Sequence, residues 1–174
     1  MDLNYKWKIV MVGDFAVGKT SLVRRFVYDE FSDAYLTTIG VKVTKKEVII
    51  NESVNADLLL WDIAGGDKYT KISSEYIKGS SAGIIVADLT RKNTIENISE
   101  HADLLHSVDP DIYLFIALNK SDLVENTAEF LELAQDSLKG KNINSIAVTS
   151  AKNGFNIDKL FNELSLSIYK GKIK

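Results

Sequence analysis

The sequence predicts an α/β fold: a six-stranded, mostly parallel sheet with one antiparallel edge strand and about five helices on both faces. Three observations predict it. Short apolar runs alternate with segments of helical period, the pattern of a parallel sheet covered by helices. The runs GIIVA and IYLFIAL are apolar throughout, as strands buried on both faces must be. Only Asn51 to Ser53 separate the second run from the third, which permits a hairpin and not a crossover.

The elements follow in chain order. The first strand is expected over Lys8–Val12 and the first helix over Gly18–Tyr28. The second strand, Lys42–Ile50, carries Lys42, Lys45 and Lys46, a composition suited to an exposed edge. The third strand is expected over Asn55–Trp61, with Trp7 and Trp61 in the core or on a sheet face. A strand over Gly83–Asp88 precedes a helix over Thr94–Ser107, whose His101 and His106 read as surface residues and not metal ligands. A strand over Ile112–Leu118 leads to a helix over Thr127–Lys139. The acidic run Glu125 to Asp136 reads as the solvated face of that helix. The last strand and helix are expected over Ser145–Thr149 and Asn156–Tyr169.

The 174 residues suffice for one domain, 1–174, with a full core, and no stretch reads as a linker. The formal net charge of −3 leaves no basic patch, so nucleic acid is not an expected partner. Cysteine is absent, which excludes disulfides, thiolate metal sites and thioether lipid anchors. The N-terminus has no apolar core of a signal peptide, and no apolar run is long enough to span a bilayer. A cytoplasmic monomer without a direct membrane anchor is expected.

The chemistry is concentrated just after strand ends, where ligands bind in open parallel sheets. GDFAVGKT, Gly13 to Thr20, fits G-x-x-x-x-G-K-[ST] and lies between the first strand and first helix, the P-loop context. Gly13 and Gly18 allow turns in which the N–H groups of Asp14, Phe15, Ala16, Val17, Gly18 and their neighbours face an anion. The N-terminus of the helix adds positive potential, Lys19 an ammonium for the β- and γ-phosphates, and Thr20 a hydroxyl for Mg²⁺. Ser21 follows directly. In WDIAGG, Trp61 to Gly66, Asp62 can hold Mg²⁺ and the Gly65 N–H can reach a γ-phosphate. In NKSD, Asn119 to Asp122, the Asp122 carboxylate can accept from N1–H and the 2-amino group of guanine, which adenine does not offer in that arrangement. Asn119 can bond the base edge and brace the P-loop, and Lys120 can lie along the ring or ribose. In TSAKNG, Thr149 to Gly154, the Ala151 N–H can face guanine O6, Ser150 can hold the loop, and Lys152 flanks them.

P-loop, DxxG, NKxD and SAK in this order and spacing resemble the small GTPases of the Ras superfamily. TTIGVKV, Thr37 to Val43, and the run after DxxG resemble its Rab branch. The resemblance covers roughly Tyr5 to Tyr169 and implies a P-loop NTPase G domain that binds GTP and GDP with Mg²⁺. It implies Phe31 as the aromatic beside guanine, Tyr35 as the lid over the phosphates, and Thr38 as the switch I threonine that meets Mg²⁺ and γ-phosphate. Switch I would span about Ser32 to Val41 and switch II about Ala64 to Lys78. Effectors, exchange factors and GTPase-activating proteins would be read through them. The metal set is then Thr20, Thr38 and Asp62, and the catalytic set Lys19, Thr38, Gly65 and Gly66.

Two departures lie near the γ-phosphate. Gly66 stands where the family usually has the glutamine that orients the attacking water. Phe15 stands where the family has a small residue, in the path of a partner's arginine, or else it points outward against switch II. Ala16 reads as a milder variant. Arg24, Arg25 and Arg91 fall in neither switch, so no internal arginine finger is expected; Asp67 and Tyr35 are the remaining candidates to hold the water. The expected activity is a GTP/GDP switch with slow intrinsic hydrolysis; the alternative is a GTP-locked interaction module with negligible turnover. An ATP-dependent P-loop kinase is disfavoured by NKSD.

Overall fold

The computed structural model describes residues 3–34, 37–65 and 72–173. Tyr35, Gly66 and Asp67, each singled out above, lie outside the described residues. The elements are β1 (Leu3–Val12), α1 (Lys19–Tyr28), β2 (Val41–Asn51), β3 (Val54–Ile63), α2 (Ser74–Ile77) and β4 (Ala82–Asp88). They continue through α3 (Lys92–Glu96), α4 (Ile98–Val108), β5 (Tyr113–Asn119), a 3₁₀ turn at Ser121–Leu123, α5 (Ala128–Ser137), β6 (Ser145–Val148) and α6 (Ile157–Lys172).

The six strands form one sheet in the order β2-β3-β1-β4-β5-β6. β2 and β3 pair antiparallel, from Val41 opposite Ile63 to Asn51 opposite Val54, across a link that is only Glu52 and Ser53. All other pairings are parallel. The lysine-bearing β2 takes one edge, where charges discourage further strand addition.

The period of two sorts the apolar side chains into two cores. Ile9, Met11, Ile84, Val86 and Phe115 face α1 and α6. Val10, Val12, Ile85, Leu114 and Ile116 face α3, α4 and α5. On the first face the rings of Phe26 in α1 and Phe161 in α6 stack at 3.8 Å between centroids, which fixes α1 across the sheet. Trp7 is buried in that core, and Trp61 is half-buried with the Lys8 ammonium 4.0 Å from its ring.

Most boundaries fall within a few residues of expectation, and the larger differences have local causes. β1 begins at Leu3 because Leu3 to Trp7 pair with Val54 to Leu58; the interleaved Asn4 and Lys6 mask the strand in the sequence. The single helix expected over Thr94–Ser107 is two helices, α3 and α4, meeting at Asn97. The short α2 was not foreseen; Ser73 caps it by accepting from the Glu75 N–H, and Ile77 anchors it.

Candidate nucleotide-binding site

The carboxyl ends of β1, β3, β4 and β5 deliver the P-loop, the Asp62 loop, Asp88 and Asn119–Asp122 to one rim of the sheet. Around this rim lies a cavity of about 320 Å³, walled by Phe15, Ala16, Gly18, Lys19, Thr20, Ser21, Phe31, Thr38, Gly65, Asn119, Lys120, Asp122, Ala151 and Lys152. Its size suits a small organic ligand.

The P-loop is packed too tightly for side chains at its two glycine turns. A Cβ on Gly13 (φ 142) would lie 2.2 Å from the Val86 carbonyl oxygen, and one on Gly18 (φ 103) 2.3 Å from Asn119 Nδ2. Gly65 abuts the same loop: its Cβ would lie 2.7 Å from the Asp14 oxygen and 2.7 Å from Lys19 Nζ. Lys19 donates to the carbonyls of Gly13 (2.9 Å) and Asp14 (2.8 Å). Burial pulls its ammonium down to about 8, against the opposing charges of Asp62 and Asp14. At neutral pH it remains a cation, held beside the cavity.

Three oxygens converge next to it. Thr20 Oγ1 donates to Asp62 Oδ2 at 2.5 Å, Thr38 Oγ1 donates to the same oxygen at 3.2 Å, and the two hydroxyls are 2.6 Å apart. Asp62 is buried, and its Oδ1 has no partner among the described residues. Burial raises the carboxyl, although Thr20, Lys19 and Thr38 favour its charged form. An orphaned buried carboxylate oxygen beside two hydroxyls fits a hard divalent cation, which takes oxygen donors and completes its shell with water and phosphate. Among the described residues no group of three His, Cys, Asp or Glu side chains could hold a metal, so this mixed cluster is the candidate ion site.

The far end of the cavity is braced by Asn119. Its Nδ2 donates to the Val17 carbonyl at 3.1 Å, and its Oδ1 accepts from the Ala151 N–H at 3.1 Å. The Ala151 N–H, expected to face a base, is thus turned to Asn119 in this structure. Asp122 is exposed on the cavity wall and accepts from Ser150 Oγ at 2.5 Å; Ser150 itself is fully buried behind it. Phe31 lies half-buried on the wall, and Phe15 is 44% exposed there. Gly13, Asp14 and Val17 shape the loop without lining the cavity, and Asp62 stands behind Thr20.

Four residues were missed or misread in the sequence. Asp88 ends β4 and binds Lys120 Nζ (2.7 Å) and Arg91 Nε (3.1 Å), and these two cations hold the carbonyls of Ala16 (2.9 Å) and Phe15 (2.6 Å). A carboxylate at the end of an apolar strand was the available signal. Arg91, set aside for lying outside the switches, therefore touches the P-loop. His101, expected at the surface, is 18% exposed in its side chain and bonds Asp14 at 2.9 Å. His106 is half-buried too, its Nε2 without a partner among the described residues.

Comparison with known proteins agrees with this geometry. Residues 8–170 match the family described as Ras family. The Ras-related protein RABA4b of Arabidopsis thaliana is 34% identical over 169 residues, covering 96% of this chain and 74% of that protein.

Proposed function

The chain belongs to the Ras family, and from that premise we propose that it is a Rab-like switch that binds GTP and GDP and hydrolyses GTP slowly unless assisted. The observation that carries the proposal is the convergence of Lys19, Thr20, Thr38 and Asp62 at one end of a cavity whose other end presents Asn119, Lys120 and Asp122.

Guanine enters between Phe31 and Lys120, and the Asp122 carboxylate accepts from its N1–H and 2-amino groups. Adenine would leave that carboxylate unpaired, which sets the selectivity. The N–H groups of the P-loop and the Lys19 ammonium take the β- and γ-phosphates. Thr20, Thr38 and Asp62 are the residues that would hold Mg²⁺, which when bound supplies positive charge to the phosphate oxygens. The Gly65 N–H and Thr38 contact the γ-phosphate, so its loss releases both segments and changes the surface that effectors, exchange factors and activating proteins read.

In hydrolysis a water oxygen bonds to the γ-phosphorus, the bond to the β–γ bridging oxygen breaks, and GDP and phosphate leave. Phosphoryl transfer depends mostly on positioning and charge. Gly66 has no side chain to orient the water, so the intrinsic rate should be about ten-fold below the family's usual value of about 10⁻⁴ s⁻¹. Single-turnover hydrolysis by the natural chain, Gly66→Gln, Phe15→Gly and the double variant tests this. The double variant should exceed either single one, because neighbours couple. A natural rate at or above the usual value would refute the role given to Gly66.

No helix among the described residues is long and apolar enough to cross a membrane. Membrane recruitment is not needed for the chemistry proposed, and a cytoplasmic monomer remains part of this reading.

A further inference from the structure

Asp14 occupies an unusual place between the nucleotide cavity and the helix layer. Its backbone carbonyl accepts from the Lys19 ammonium at 2.8 Å, and the same oxygen would lie 2.7 Å from a Cβ on Gly65. Its side chain points the other way, into the junction of α3 and α4. There Asn97 Nδ2 donates to Oδ2 at 2.7 Å and His101 Nε2 to Oδ1 at 2.9 Å. Burial would raise this carboxyl, but the hydrogen bonds from His101 and Asn97 and nearby positive charge hold it below its ordinary range. It is therefore ionised and both neighbours are donors. Asn97 is the residue at which one helix gives way to the next, so it is fixed by both. Arg91, just before α3, holds the next carbonyl of the loop, that of Phe15.

From this geometry we infer that Asn97 and His101 are positioning residues for the γ-phosphate contacts, acting through Asp14. The inference rests on the nucleotide-switch reading above and extends it. Lys19 bonds the Asp14 carbonyl and Gly65 passes close to it, without room for a side chain between them; both are assigned to the γ-phosphate, Lys19 to the β-phosphate as well. The clasp on the Asp14 side chain therefore sets where those groups stand. Releasing it should loosen a triphosphate more than a diphosphate, because a diphosphate makes no γ contact. A merely structural tie would weaken both alike.

The test uses the full chain loaded with fluorescent GDP or a fluorescent non-hydrolysable GTP analogue, each chased with excess unlabelled nucleotide. The variants are Asn97→Ala, His101→Leu, His101→Gln and, as a control on the exposed side of α4, Glu100→Ala. His101→Leu should release the triphosphate analogue about ten-fold faster, the size of one hydrogen bond to a charged group. GDP release should rise by no more than about three-fold, since only its shared β-phosphate contact is disturbed. Asn97→Ala should act in the same direction, Glu100→Ala should match the natural chain, and His101→Gln should restore the natural ratio because its amide also donates. Unchanged analogue release in His101→Leu and Asn97→Ala, or equal acceleration of both nucleotides, would overturn the inference. Should the leucine variant not fold, the Asn97→Ala ratio alone decides. Failure of the natural chain to bind either nucleotide would instead overturn the functional reading.

Discussion

Replacing Asn119 with alanine should damage stability and nucleotide retention together, and the structure sets the size of the effect. Asn119 is buried, and its amide spans two loops: Nδ2 donates to the Val17 carbonyl and Oδ1 accepts from the Ala151 N–H. Alanine leaves both backbone groups buried without partners. Each such orphan costs about 1–3 kcal/mol, so the pair should cost about 3 kcal/mol once water and local relaxation recover part of it. The Cβ contact is informative as well: Gly18 sits so close to Asn119 Nδ2 that a methyl there would lie 2.3 Å from it. Truncating Asn119 opens that contact and frees the P-loop to shift. Denaturant unfolding of the nucleotide-free chain should show a midpoint drop equivalent to about 3 kcal/mol with unchanged slope. Release of GDP should accelerate as well, because the bound state must also re-order the loosened P-loop. Asn119→Asp separates the two halves, because it keeps the acceptor for Ala151 and places an oxygen against the Val17 carbonyl. A stability change within about 0.5 kcal/mol for Asn119→Ala would refute the bracing argument, since that is the range of inert surface changes.

Two other perturbations test the same rim. Asp122→Asn should shift preference from guanine toward xanthine, because the amide offers a donor where the carboxylate offered acceptors; competition binding that leaves GTP affinity unchanged would remove the base-reading role. Asp88 should govern part of the acid response. Burial raises its carboxyl, but hydrogen bonds from Lys120 and Thr90 and the Lys120 charge outweigh it and hold it below its ordinary 3.8. A carboxyl depressed on folding contributes stability above that ordinary value and loses it as pH falls through the lower folded value. Asp88→Asn should therefore cost about 1.5–3 kcal/mol at pH 7, as for a hydrogen bond to a charged group, and should flatten the decline of stability below about pH 4. Unfolding curves of equal pH slope for the two proteins would contradict the pairing.

Much of this architecture was legible because it is encoded locally. Apolar runs set between segments of helical period placed the central strands, and the short Asn51–Ser53 link forced the antiparallel pair. The motif residues were legible for the same reason: Gly13, Gly18, Lys19 and Thr20 sit within one loop and helix start. What escaped was long-range. Arg91 reaches Phe15 across 76 residues, and His101 reaches Asp14 across 87. A histidine one turn into an amphipathic helix carries no mark of what stands opposite it. Leu3 to Trp7 escaped because this end of β1 pairs with β3 alone, ahead of the β4 pairing that starts at Ile9, and only alternate side chains there need to be covered.

Ala16 shows the same limit at the level of one dihedral angle. As a residue type it read as a mild variant, yet it sits at φ 60, in the left-handed region where a Cβ costs about 1–2 kcal/mol. Lys120, at φ 68, is in the same region. The two are tied together: Lys120 Nζ donates to the Ala16 carbonyl at 2.9 Å and is itself held by buried Asp88. Neither conformation would persist alone, since the surrounding bonds must over-determine it. The strain thus lies where the P-loop meets the Asn119–Asp122 loop, and the Asp88–Lys120 pair makes the geometry of each loop depend on the other. A ligand that spans both loops would find them already set at one separation, which lowers the ordering cost of binding.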